Sequence, residues 1–254
     1  MHALRASIAR HPIPAYIAIA FAFSWTFTVL VSVSVAFGLI ALFGPAVAAA
    51  VVSWADGTLG EIRARTTDWR QPLGTYAVAF GLPFAVAGAG AVILALTGTP
   101  WTGFGSISAI QVVLFFLVVG EEIGWRGFLQ PRLRARMGLL ASGLVVGVVW
   151  TLWHLPMYLG SGPAAFAAFA WWVVPLAVVM GFVVERARYS VIVATVMHGA
   201  ANIATPILLP GVDRTTWLVV TGAIYALVAV GLVVHARLRS ERPTLSAVAR
   251  SAAA

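Results

Sequence analysis

The sequence has no cysteine, no lysine and a single asparagine, Asn202. Without cysteine there is no disulfide framework, no thiolate nucleophile and no thiolate metal ligand. All sixteen basic residues are arginine, a bias best explained by genome base composition. Charge itself is scarce: 9% of the 254 residues are charged and 61% are hydrophobic, with a mean hydropathy of +0.96. Soluble domains carry about a quarter charged residues, so a soluble fold is excluded. A net charge of +8 would point a soluble protein towards nucleic acid. Here the arginines flank apolar segments, where they orient a chain in the bilayer. The partner they imply is lipid, with no nucleic acid.

Cutting the chain at charged and Pro/Gly-rich stretches leaves eight apolar segments, near 13–35, 37–54, 73–97, 107–130, 138–159, 164–184, 190–209 and 216–236. Each approaches the ~20 residues that cross a hydrocarbon core as a helix. The expected fold is therefore all-α, a polytopic membrane helix bundle with about eight transmembrane helices forming one integral membrane domain. Within it, 1–106 holds three N-terminal transmembrane helices with a basic cytoplasmic or interfacial segment near 55–72. Residues 107–209 form the core, and 210–254 the last transmembrane helix and a cytoplasmic tail that frays after Arg242. The first segment follows Arg5 and Arg10 as in a signal peptide. Its apolar run outlasts the roughly 7–15 residues of such a peptide's core, so an uncleaved anchor is expected.

Arginine alternates between successive loops. Arg5 and Arg10 precede the first segment, and Arg63, Arg65 and Arg70 follow the second. Arg132, Arg134 and Arg136 follow the fourth, Arg186 and Arg188 the sixth, and Arg237, Arg239 and Arg242 the eighth. The loops between, around 98–106 and 160–163, are uncharged, and 210–215 holds only Asp213 and Arg214. Positively charged loops stay cytoplasmic, so both termini are expected in the cytoplasm of a multi-pass protein of the cell (inner or plasma) membrane. Trp69, Trp101 and Trp217 near segment ends fit an interfacial aromatic belt. Gly143 and Gly147 form a small-xxx-small pair that predicts a close helix contact.

Against this background the side chains inside the apolar segments stand out. Glu121 and Glu122 follow a stretch, ISAIQVVLFFLVVG, without one ionisable group. Placing a carboxylate or guanidinium in a bilayer costs roughly 2.5–3.5 kcal/mol on insertion scales, so these groups must pair, line a wet cavity or do chemistry. Glu122 and Arg126 are four apart on one helix face and can pair; Glu121 has no such local partner. His154 follows Trp150 by four residues, which sets an aromatic ring beside the imidazole. His198 and Asn202, also four apart, share a face of the seventh segment. Three helices thus present polar groups, and a water-filled pocket among them would satisfy all at once. His2, His11 and His235 lie near segment ends and read as interfacial.

A carboxylate near imidazoles and an amide suits water activation. A desolvated carboxylate is a competent general base, and with Glu122 holding Arg126, Glu121 is free to take a proton from water. Asn202 and His198 could donate to a developing oxyanion. Zinc is the alternative, with Glu121, His154 and His198 as a triad and an open fourth position. The HExxH spacing that would make a zinc reading specific is absent, and no cofactor is favoured.

Glu121-Glu122-x-x-x-Arg126, Trp150-x-x-x-His154 and His198-x-x-x-Asn202 occur in this order on successive hydrophobic segments, and together they resemble the CPBP family (CAAX protease and bacteriocin-processing, also called Abi or Rce1-like) of intramembrane endopeptidases. The resemblance covers about 107–209. It implies eight helices and a cavity opening to the cytoplasmic side. Glu121 would activate water with His154, while His198 and Asn202 would form the oxyanion hole and Glu122, Arg126 and Trp150 support them. The substrate would be a membrane-associated peptide or protein. One departure is Trp150, where the family usually has Phe, which bears on pocket shape and substrate preference. Two other readings stand beside the enzyme: a non-catalytic bacteriocin-immunity or membrane scaffold protein, and a small transporter. Full retention of the motif argues against the first, and the lack of internal repeats argues against the second.

Overall fold

The computed structural model describes residues 2–240; Arg242 and the Ser/Ala-rich tail expected to fray lie outside the described residues. Among these the chain is helical without strands. The elements in order are α1 (His2–Arg10), α2 (Pro12–Val29), α3 (Val35–Ala41), α4 (Gly44–Asp56), α5 (Leu59–Thr67), α6 (Leu73–Leu96), α7 (Ala109–Leu117) and α8 (Val119–Glu122). A π-helical stretch, Ile123–Leu129, leads into α9 (Gln130–Arg134), followed by α10 (Leu139–Trp153), α11 (Leu155–Tyr158), α12 (Gly162–Arg186), α13 (Val191–Leu208) and α14 (Arg214–Ser240). The protein is a multi-pass membrane protein built as a polytopic helical bundle.

Six helical spans are long and apolar enough to cross a membrane: Pro12–Val29, Val35–Asp56, Leu73–Leu96, Gly162–Arg186, Val191–Leu208 and Arg214–Leu238. The other two expected segments fall short for physical reasons. The stretch from α7 to α9 is interrupted around the buried charges, and Leu139–Trp153 is a short apolar helix because the helix ends at His154, two residues before Pro156. The second span is itself broken between α3 and α4, where Gly44 and Pro45 restart the helix. The segment near 55–72, expected to be interfacial or cytoplasmic, folds as the short α5. It packs on the π-helix and on α13.

α12 lies between α10 and α14, α13 packs against α6 and α7, and α2 packs on α4. Gly143 and Gly147 make the contact their spacing predicts: a Cβ at either would press within about 3 Å of the α12 backbone, at Val178 and Val174. Two further glycines set the core around the charges. A side chain at Gly124 would collide with Pro45 and the Tyr16 hydroxyl, so α2 and α4 approach the π-helix only because none is there. At Gly199 a Cβ would meet the Phe115 ring at 2.6 Å, so glycine beside His198 lets α13 close on α7. The Trp25 indole N–H donates to the Trp153 carbonyl at 3.0 Å, tying α2 to the end of α10.

Charge separates the two ends of the bundle. At the arginine-bearing end, loops are laced together: Arg132 pairs with Asp56 at 3.0 Å, Arg134 with Glu185 at 2.7 Å and Arg188 with Asp68 at 3.0 Å. Arg65 donates to the Gly127 carbonyl at 2.9 Å, within the widened π-helical turns. At the other end Gly105 N–H donates to the Ile207 carbonyl at 2.8 Å, and Arg214 donates to the Tyr158 hydroxyl.

Candidate active site

α8 and the π-helix carry Glu121, Glu122 and Arg126 into the interior, where they are 2%, 0% and 0% exposed. One guanidinium nitrogen, Arg126 Nη1, donates to both Glu122 oxygens, at 2.8 and 3.0 Å. The pair expected on an α-helical face therefore forms, although Arg126 lies in π-helical backbone. Such wide turns often occur at functional sites. Glu122 does more than the sequence suggested. Its Oε1 also lies 2.8 Å from His198 Nδ1, and a carboxylate can only accept, so Nδ1 carries the proton. The Glu122 carboxylate therefore joins Arg126 to α13 and fixes the His198 ring. His198 Nε2 is left for the cavity, and it can donate there only when the ring carries both protons.

Glu121 has a partner that spacing could not reveal. The Trp150 indole N–H donates to Glu121 Oε2 at 2.8 Å, with both groups buried. The same ring stands edge-on to His198 at 4.9 Å, and Arg126 lies over it at 4.5 Å. The Trp150 carbonyl lies 3.0 Å from His154 Nδ1. A carbonyl accepts, so Nδ1 is the protonated nitrogen and Nε2 is an acceptor when the ring is neutral. Trp150 thus touches Glu121, Arg126, His154 and His198. A phenylalanine here would keep the ring contacts and lose the N–H donor.

His154 sits just past the end of α10, packed by Trp153 and Phe169 with ring centroids 4.7 Å away in each case. Because α10 ends at the site, His154 stands at the same cavity as Glu121. Glu121, Trp150, His154, His198 and Asn202 all line one cavity of about 570 Å³. Most of the remaining lining is aliphatic or aromatic. Asn202 is exposed there, one turn beyond His198 on α13.

Two residues of the lining were not singled out for the site by the sequence. Trp217, expected in an interfacial belt, instead lines the cavity and packs edge-to-face on Trp172 at 5.8 Å. Its register on α14 points it inward, which end position alone does not tell. Arg214 also lines the cavity, and its Nη2 donates to the Tyr158 hydroxyl at 2.7 Å. The available signal was its isolation, as an arginine in otherwise nearly uncharged loops.

Among the described residues no three His, Cys, Asp or Glu side chains are grouped to hold a metal ion. Glu121 is turned to Trp150, and His198 Nδ1 is committed to Glu122.

The cavity also has a definite place along the bundle. Its lining comes from the turn after α2, from α3, the start of α7, α8, the end of α10, α11, the first half of α12, the end of α13 and the start of α14. Apart from α8, these parts of the chain adjoin the uncharged loops.

Comparison with known proteins agrees with the motif reading. Residues 103–204 match the model of the family described as type II CAAX prenyl endopeptidase Rce1-like. A relative named CAAX prenyl protease 2, from Methanococcus maripaludis, is 25% identical over 146 residues, which cover 52% of this chain and 53% of that protein. The chain thus spans about half the length of the curated relative it matches. The matched stretch contains Glu121, Trp150, His154, His198 and Asn202, and over it the chain is similar to the Rce1-like CAAX prenyl endopeptidases.

Proposed function

We propose that this protein is an intramembrane endopeptidase that hydrolyses a peptide bond with water activated by Glu121. The observation that carries the reading is the convergence of Glu121, His154, His198 and Asn202 on one cavity. Trp150 holds Glu121 Oε2, which leaves Oε1 to accept a proton from water. Neutral His154, with Nδ1–H on the Trp150 carbonyl, offers Nε2 as a second acceptor to orient that water. The water oxygen attacks the carbonyl carbon, its proton passes to Glu121, and the carbonyl oxygen becomes an oxyanion. The Asn202 amide donates to that oxyanion, and so does His198 Nε2 when doubly protonated. Collapse of the intermediate breaks the C–N bond as Glu121 returns the proton to the leaving amine. Each oxyanion donor of this kind is worth ~10²–10³ in rate in soluble hydrolases.

The chemistry needs no metal. The substrate class is a membrane-associated peptide or protein; a mostly apolar and aromatic cavity suits an apolar segment. The relative's name concerns prenylated substrates, and nothing in this lining is specific to a prenyl chain. The arginine alternation supports an orientation with both termini in the cytoplasm and the loop at Ser161–Pro163 outside. Glu121→Gln tests the enzyme reading. Gln keeps the shape and cannot take the proton, so hydrolysis should fall by ~10²–10⁴ while the protein inserts and folds. Cleavage at the wild-type rate would refute Glu121 as the base, and a cut that persists without this protein would leave the membrane scaffold as the better reading.

A further inference from the structure

Pro131 interrupts the hydrogen bonding of the segment that carries the buried charges. In an α-helix the Gly127 carbonyl would accept from the amide of residue 131, but proline has no N–H and its ring presses on that carbonyl. The turns just before it are widened: the Gln130 N–H donates to the Trp125 carbonyl, and Ile123–Leu129 is π-helical. A donor for Gly127 comes from a distant part of the chain. Arg65 on α5 places Nη1 2.9 Å from the Gly127 carbonyl, across 62 residues of sequence. Its Nη2 donates to Glu61 at 2.9 Å, one turn earlier on the same helix, which steadies the guanidinium. α5 is itself anchored, with Ile62 buried in the core and the helix packed on both the π-helix and α13. Gly127 directly follows Arg126, and a Cβ there would meet Val191 of α13 at 3.1 Å. The widened turns are thus held between α5 and α13.

We propose that Arg65 is a positioning residue of the active site: it supplies the donor that Pro131 denies the Gly127 carbonyl and so holds the π-helical turns in place. The effect on catalysis rests on the endopeptidase reading above. It passes through the backbone to Arg126, whose guanidinium meets both Glu122 oxygens, and from Glu122 to the ring of His198 at 2.8 Å. Arg65 is not among the residues that line the cavity, so it acts on the placement of the reacting groups and not on substrate. Wide turns with strained hydrogen bonding are the weak point of such a helix. An anchor from another helix keeps them from closing back to α-helical register, which would swing Arg126 away from Glu122.

Arg65→Met keeps the aliphatic stem and removes the donors. Hydrogen–deuterium exchange on detergent-purified protein should then speed up across 123–132 by about 10–100-fold, the factor carried by a hydrogen bond with a charged partner. Exchange in α12 and α14 should stay near wild type. Glu61→Gln removes only the ion pair, whose Glu61 side chain is 55% exposed, and should change exchange across 123–132 by less than about fivefold. Adding Pro131→Ala to Arg65→Met gives residue 131 an N–H for the Gly127 carbonyl, and most of the protection should return. For activity the probe is a synthetic apolar peptide that the wild type cuts and Glu121→Gln does not. On it Arg65→Met should lose ~10–10² in kcat, as for a small misplacement of reacting groups, with KM close to wild type. Exchange unchanged by Arg65→Met, a double variant as unprotected as the single, or an unchanged kcat despite faster exchange would each overturn the proposal. If the wild type cuts no such peptide in a Glu121-dependent way, the endopeptidase reading fails. The exchange results still decide whether Arg65 holds the turns, so the two failures are distinguishable.

Discussion

Replacing Arg126 by methionine tests whether the buried charges are a coupled unit. The side chains of Glu122 and Arg126 are both 0% exposed, so Arg126→Met strands a carboxylate where water cannot reach it. Breaking a buried pair by removing one partner costs about 3–5 kcal/mol. Glu122 keeps its contact with His198 Nδ1 at 2.8 Å, which places the expectation at the lower end, about 3 kcal/mol. For a chain of this size each kcal/mol moves Tm by roughly 2–4 °C, so a fall of roughly 6–12 °C is expected. The double variant Glu122→Gln, Arg126→Met removes both charges. Neutral replacement of a whole buried pair is often close to harmless, so most of the lost stability should return. The assay is a thermal ramp on detergent-purified protein, read by size-exclusion chromatography. A single variant that melts with the wild type, or a double variant no better than the single, would refute the coupled-charge account.

Trp150→Phe keeps the ring against His198 and removes the donor to Glu121. A hydrogen bond to a charged group contributes about 1.5–3 kcal/mol, so kcat should fall by roughly 10–100-fold with little change in KM; an unchanged kcat in folded protein would show that the indole N–H is dispensable. Asn202→Ala should lower kcat by ~10²–10³ with a modest change in KM, as for a donor that acts mainly in the transition state; an effect confined to KM would instead make Asn202 a substrate-binding group. Purified protein should keep its activity in strong chelator; tightly bound stoichiometric zinc, with activity lost on removal and regained on re-addition, would defeat the metal-free reading.

Composition and periodicity alone determined the membrane class, the all-α architecture and the candidate polar residues. They could do so because a bilayer penalises every unpaired charge and every open backbone group, so exceptions to apolarity are few and visible. Local pairs at helical spacing were equally legible: Glu122–Arg126 forms, and Gly143 and Gly147 meet α12, because both depend on positions along one helix. Contacts between segments were not. That Trp150 donates to Glu121, that Glu122 reaches His198, and that Trp217 and Arg214 face the cavity depend on how α10, α13 and α14 turn against the π-helix. Gly124 lets α2 and α4 close on the π-helix and Gly199 lets α13 close on α7, and no spacing within one helix encodes such contacts between helices. The arginine pattern identified two kinds of loop, but only the assembled bundle decided which parts of the chain line the cavity, because that lining is drawn from helices distant in sequence.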